Sequence, residues 1–280
     1  MQRRGFLKAG AGLAAFGAGR TLAAPILSAG NFGLTPARAA RRNGWIEVDA
    51  GAFEANIDAV RQWTGGTRLC AVMKADAYGN GIALLIPSIL RKRVTDVAIT
   101  SNDEARVARQ LGFRGRLIRI RTATPEEMQD GFAHGITELI ANPIAAERLQ
   151  ALWQARKPKG PLAVHLALNA GGMSRNGVEL SSLYGQADAR ALLALKGLRM
   201  TGAMTHYPSE EAADILGQLR RFQDDLRWLA ATGLDTRPLL RHTANTFATL
   251  EHPETRLDMV RVGGAIYGDP GSTKTDRFRP

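Results

Sequence analysis

The chain offers few side chains whose placement alone suggests chemistry, and Lys74 is the first. Residues 69–73 form an apolar run, Lys74 follows at once, and Tyr78-Gly79-Asn80-Gly81 makes a turn that opens the next helix. A lysine at a strand end is often just an exposed charge, but at a barrel mouth its amine can condense with an aldehyde cofactor. Further on, the stretch from Asn169 through Gly171, Gly172 and Arg175 to Gly177 joins glycines, which let backbone approach a ligand closely, to an arginine. The plainer reading of that stretch is a flexible turn with a solvated arginine. His206 follows an apolar strand, where a lone histidine is usually a hydrogen-bonded structural residue. The last two segments of interest are residues 241–246, with Asn245 and Thr246, and residues 259–268, with Arg261, Gly263 and Gly264. Read alone, Arg261 is a surface ion-pair partner for Asp258. The five histidines show no paired ligand spacing, so no metal site is expected.

These residues need a scaffold that brings them together. From residue 45 onward, short β-branched or apolar runs alternate with longer amphipathic stretches, the pattern of a parallel α/β fold. Strands are expected at 69–73, 96–100, 117–120, 137–140, 162–168, 199–205, 239–242 and 259–262. Helices are expected at 103–111, 125–134, 144–155 and 210–232, with Gly112, Gly135 and Gly233 where C-terminal caps belong. Eight strands, intervening helices and no Rossmann glycine fingerprint predict a (β/α)8 TIM-type barrel, which a chain of 280 residues nearly fills. In such barrels chemistry collects at the C-terminal strand ends, where Lys74, Arg175, His206, Thr246 and Arg261 all fall. The loops after the seventh and eighth strands commonly hold phosphate, using backbone N–H groups and a helix N-terminus.

Composition narrows the class further. Hydrophobic residues make up 45% and charged residues 22%, as in ordinary globular proteins, and past the N-terminus no run is long enough to span a bilayer. Five of the 37 basic residues lie in the first 39 positions without an acid, and removing them lowers the excess from +11 to +6. The remainder is scattered and not interleaved with aromatics, so no nucleic-acid partner is expected. Cys70 is the one cysteine, which excludes an intramolecular disulfide, and its apolar neighbours make it a small buried hydrophobe. The N-terminus pairs Arg3-Arg4 with Phe6-Leu7-Lys8, an Ala/Gly-rich stretch and Ala37-Arg38-Ala39, which resembles a twin-arginine signal over residues 1–39. Cleavage near Ala24 is an alternative. The expected location is periplasmic, with no membrane insertion after cleavage, by a route that carries folded, cofactor-loaded proteins.

From about Trp45 to Asp269 the sequence resembles the alanine racemase family, and among its members the exported broad-specificity amino-acid racemases. The resemblance implies a pyridoxal 5'-phosphate-binding barrel over residues 45–268 and interconversion of L- and D-amino acids through a Schiff base on Lys74. It implies that Tyr78 hydrogen-bonds the cofactor phosphate, that Arg175 approaches the ring hydroxyl and that His206 stacks on the pyridine ring. It further implies that Thr246, Gly263 and Gly264 contact the phosphate, that Asn245 supports their loop, and that Arg261 faces the ring nitrogen. Typical alanine racemases read Asp-Thr-Gly-Met-Gly-Arg where this chain has its Gly-Gly-Met-Ser-Arg-Asn-Gly loop, so broad rather than strict alanine specificity is expected.

Racemisation needs acid–base groups on both faces of the substrate Cα. Lys74 supplies one. In the family the other is a tyrosine from a β-rich C-terminal domain of the partner subunit in a homodimer. The chain stops at Pro280, before that domain begins, and residues 269–280 read as linker, so the expectation is a truncated racemase. Two other readings stay open: a single-domain pyridoxal-phosphate carrier, and a noncatalytic periplasmic amino-acid-binding barrel.

Overall fold

The computed structural model describes residues 46–172 and 177–271. The proposed signal, Arg175 and the tail from 272 lie outside the described residues. The chain divides into two units at Ile46/Glu47, and every strand and helix among the described residues belongs to the second.

Eight parallel strands form the sheet: β1 Arg68–Val72, β2 Asp96–Ile99, β3 Arg116–Arg119, β4 Ile136–Ile140, β5 Leu162–Ala167, β6 Leu198–Met204, β7 Leu240–His242 and β8 Met259–Val262, in the order β7-β6-β5-β4-β3-β2-β1-β8. The sheet closes because β7 and β8 meet as well. Asp258 N–H donates to the Arg241 carbonyl (3.2 Å), Arg261 N–H donates to the Ala244 carbonyl (3.0 Å), and Arg241 and Asp258 form an ion pair at 2.8 Å. The structure is thus the expected barrel, with every strand in its expected place to within a residue or two.

The helices are α1 Ala50–Trp63, α2 Ile82–Arg91, α3 Asn102–Gln110, α4 Pro125–Gly131, α5 Pro143–Ala155, α6 Leu183–Ala194, α7 Ala212–Ala231 and α8 Thr246–Glu251. Their starts are written into the loops. Ser101 with Glu104, and Thr124 with Glu127, form capping boxes; Asp49, Asn142, Ser182 and Asn245 accept from the first turns of α1, α5, α6 and α8. Gly112, Gly135 and Gly233 follow α3, the 3-10 turn after α4, and α7 with φ of +94°, +59° and +107°, the cap role expected of them.

Side chains of a strand alternate between faces, and here this sorts the interior into two regions. Outward-facing residues of the sheet pack under the helices, with Leu69, Val97, Ile99, Leu117 and Val260 in one cluster and Val164, Leu166 and Ala203 in another. Inward-facing residues fill the lumen. Cys70, Val72, Ala98, Ile118 and Met259 make one small cluster and Leu139, Ala167 and Met204 another. Cys70 is fully buried, and burial pushes its thiol well above the ordinary range. At the lower end Asp96 is chelated by Arg68 at 2.6 and 2.9 Å. The same alternation carries the lumen face upward to the mouth: Cys70, Val72, then Lys74; Gly202, Met204, then His206; Met259, Arg261, then Gly263.

Candidate active site

Lys74 begins an unusual piece of backbone. Ala75, Asp76, Ala77 and Tyr78 all have φ between +53° and +57°, and Gly79 follows at +83°, so the chain makes a left-handed helical turn. For residues with a Cβ this conformation costs about 1–2 kcal/mol each, so something must hold it. Glu104 does so from α3. Its carboxylate accepts Asp76 N–H (3.1 Å) together with Thr100 N–H (2.7 Å) and Ser101 N–H (3.1 Å). The Asp76 carboxylate in turn accepts Ile82 N–H at 2.7 Å, tying the turn to the start of α2.

The turn stacks Lys74 over Tyr78, with Nζ 5.6 Å from the ring centroid. Tyr78 packs on Tyr267 (5.1 Å between centroids), whose hydroxyl donates to the Val72 carbonyl at 3.1 Å. The Tyr78 hydroxyl reaches Gly263, where an added Cβ would lie 2.4 Å from it. Only glycine leaves that approach open. Desolvation raises the Tyr78 pKa, so the hydroxyl is a donor at neutral pH. Beside it the Thr246 hydroxyl accepts Gly263 N–H at 3.2 Å, leaving its own proton to donate. Asn245 caps α8 through Ala248 N–H (2.9 Å) and donates to the Tyr207 carbonyl (3.2 Å), tying the loop after β7 to the loop after β6. Gly264 is equally constrained: a Cβ there would meet the Asp269 carbonyl oxygen at 2.3 Å.

Arg261 is 4% exposed, and the ion pair with Asp258 is overturned by the structure. Asp258 belongs to Arg241; strand alternation turns Arg261 inward. Its guanidinium donates to the carbonyls of His242 (2.6 Å), Thr205 (3.0 Å) and Thr243 (3.2 Å), and lies against Nδ1 of His242 (3.1 Å) and of His206 (3.3 Å). Burial lowers its pKa to about 10, which leaves it a cation at neutral pH. The loop toward Arg175 is anchored on both sides. Gly171 N–H donates to the Thr205 hydroxyl (3.0 Å), a Cβ on Gly171 would meet the His206 carbonyl at 1.9 Å, and Leu168 bridges to Val178. Asn169 donates to Glu179 at 2.8 Å while its buried Oδ1 has no protein partner.

One mouth therefore gathers a primary amine, a phenol and a hydroxyl at a glycine cradle, an imidazole and a buried cation. A phosphorylated aromatic aldehyde fits this set: an amine for its carbonyl, two hydroxyl donors at the glycines for its phosphate, and an imidazole and guanidinium for its ring. Lys74, Tyr78, His206, Asn245, Thr246, Arg261, Gly263 and Gly264 are all brought to this end. Asp76, Glu104, Tyr267 and the buried His165–His242 pair below Arg261 are additions that the sequence does not disclose.

The model of the family "Alanine racemase, N-terminal domain" matches residues 48–270. The chain belongs to that family. Family membership implies pyridoxal phosphate as the cofactor of such barrels. The broad specificity amino-acid racemase of Aeromonas hydrophila is 44% identical over 265 residues, covering 94% of this chain and 64% of that protein. The enzyme of the same name from Pseudomonas putida is 42% identical over 279 residues, with 99% and 68% covered. The chain thus spans between 56% and 68% of the length of the broad-specificity and lysine racemases it matches. Among solved structures, the alanine racemase of Bacillus anthracis with bound L-Ala-P superposes with a TM-score of 0.73 at 25% identity, over 85% of this chain and 61% of that one.

Proposed function

We propose that this barrel binds pyridoxal 5'-phosphate on Lys74 and serves a broad-specificity amino-acid racemase. The observation that carries the reading is the left-handed turn that sets Lys74 over Tyr78 and delivers the Tyr78 hydroxyl to Gly263. When bound, the cofactor supplies an electron sink for the carbanion left by removal of the substrate α-proton. The chain's own residues do the rest. Tyr78 and Thr246 would donate to the cofactor's phosphate, His206 would pack on its ring, Arg175 would take the ring hydroxyl, and Arg261, a permanent cation, would leave the ring nitrogen without a proton. Lys74 exchanges the α-proton on one face of the substrate. The opposite face takes its proton from a tyrosine of a partner subunit's C-terminal domain, in a homodimer. Relatives named racemase favour this over a cofactor carrier or a binding barrel. We further propose that residues 1–39 direct export to the periplasm by the twin-arginine route, supported by Arg3-Arg4 and the small-residue stretch ending at Ala39.

Borohydride reduction of the chain with pyridoxal phosphate, followed by peptide mapping, tests the first proposal. The reading expects the label on Lys74 and its loss in Lys74→Ala; a label elsewhere, or an unchanged visible spectrum in Lys74→Ala, refutes it. Cell fractionation tests the second: Arg3→Lys with Arg4→Lys retains the protein in the cytoplasm, and unimpaired export of that variant rules the route out.

A further inference from the structure

Below Arg261 the lumen holds two histidines that the racemase reading does not use. His165 of β5 and His242 of β7 are both 0% exposed, with Nδ1 of His165 2.9 Å from Nε2 of His242 and ring centroids 4.9 Å apart. Burial holds both neutral, His165 with its pKa lowered to about 3 and His242 with its pKa well below the ordinary value. The proton positions follow from chemistry. A guanidinium has donors only, so where Arg261 meets Nδ1 of His242 at 3.1 Å, that nitrogen must be the acceptor. His242 then carries its proton on Nε2 and donates it to Nδ1 of His165, and His165 carries its own proton on Nε2, which is buried without a partner.

The fold makes room for this arrangement. The pairing of β5 with β6 shifts register between Val164 and His165, so that His165 lies opposite Gly202. A Cβ at Gly202 would stand 2.6 Å from Cδ2 and Nε2 of the imidazole, so the ring lies on bare backbone that any other residue would occupy. An orphan N–H in a lumen shaped around its ring calls for a reason other than packing.

We propose that His165 is a positioning residue for Arg261: by accepting from Nε2 of His242 it fixes the tautomer whose Nδ1 receives the guanidinium, and so fixes the cation that the cofactor ring meets. Without that acceptor the Nε2–H of His242 is buried unpaired, and moving the proton to Nδ1 relieves this only by setting that nitrogen donor against donor with Arg261, which dislodges the guanidinium. The consequence for the ring nitrogen rests on the cofactor reading above; the consequence for His242 does not.

The experiment is 15N NMR of the full chain labelled at its five histidines, with resonances assigned by single substitutions. In the unsubstituted protein His242 is expected to show a protonated Nε2 and a bare Nδ1, unchanged between pH 5 and 8; a protonated Nδ1 or a charged ring overturns the proposal with no variant needed. In His165→Leu the His242 pattern should shift toward the other tautomer, and in His165→Gln, whose amide oxygen can still accept, it should return. An unaltered His242 in His165→Leu overturns it too. On the cofactor-loaded, racemising protein, transamination per racemisation should rise about fivefold in His165→Leu and fall back in His165→Gln, whereas a purely structural loss would lower both reactions together. Failure to load cofactor would instead count against the cofactor reading, with the His242 tautomer still deciding this one.

Discussion

At the scale of single residues, Arg261 shows how burial converts a common side chain into a specific one. Its Nη1 and Nη2 groups are spent on three carbonyls and two imidazoles, so it presents a fixed charge that no nearby carboxylate among the described residues neutralises. Arg261→Glu would replace a cation facing the ring nitrogen by a group able to share a proton with it, making the ring a stronger electron sink. Transamination relative to racemisation should then rise about tenfold, a change of ~1.4 kcal/mol between competing barriers. Keto acid formed per racemisation in the holoenzyme measures it, and an unmoved ratio sinks the assigned role. Residues at this scale are legible where two signals coincide. Lys74, His206 and Arg261 each continue a lumen-facing alternation and each sits in a recognisable motif. Glu104 and His165 are not legible, because a capping glutamate and a strand histidine look the same in sequence whether or not a second element leans on them.

At the scale of elements, the left-handed turn is the feature that no propensity argument predicts. Four residues with a Cβ take positive φ in succession, and the sequence Ala75-Asp76-Ala77-Tyr78 carries no glycine to announce it. The turn exists because tertiary bonds outweigh its local cost, and Glu104 makes the central one. Glu104→Gln keeps the shape but turns one oxygen into a donor, leaving at least one of the Asp76, Thr100 and Ser101 N–H groups unpaired. Such a loss costs about 1–3 kcal/mol. Hydrogen exchange should accelerate at Asp76 while amides of β5 and β6 keep their protection, and cofactor affinity should weaken. Uniform acceleration, or none, would show that the turn does not depend on this contact. The remaining elements are legible to the extent that burial is regular. The strands read clearly as apolar runs between turn residues. The helix α6 is hidden because Leu183 and Tyr184 open it at 85% and 80% exposure, blurring the apolar stripe that periodicity needs. The register shift in β6 is hidden too, because a bulge inserts one residue without altering composition.

At the scale of the molecule, the barrel is closed by its weakest seam. The strands β7 and β8 share no continuous ladder and meet through a few backbone bonds and the Arg241–Asp258 pair. The proposed cofactor site straddles that seam, since Thr246 follows β7, Gly263 and Gly264 follow β8, and Lys74 and Tyr78 follow β1. A ligand gripping all three segments can bind only the closed barrel, so binding must stabilise the whole fold and not just its loops. Binding to the native state alone adds RT ln(1 + [L]/Kd), ~2.7 kcal/mol at a hundredfold excess over Kd. For a barrel of this size that corresponds to a Tm increase of about 5–10 °C. The increase should grow with the logarithm of pyridoxal phosphate concentration, and inorganic phosphate, which can reach the glycine cradle but not Lys74 or Arg261, should give only a small part of it. Lys74→Ala should keep a reduced shift, because the phosphate and ring contacts survive the loss of the covalent one. If the holo and cofactor-free proteins melted together, the three segments would not form one binding site, however well their geometry converges.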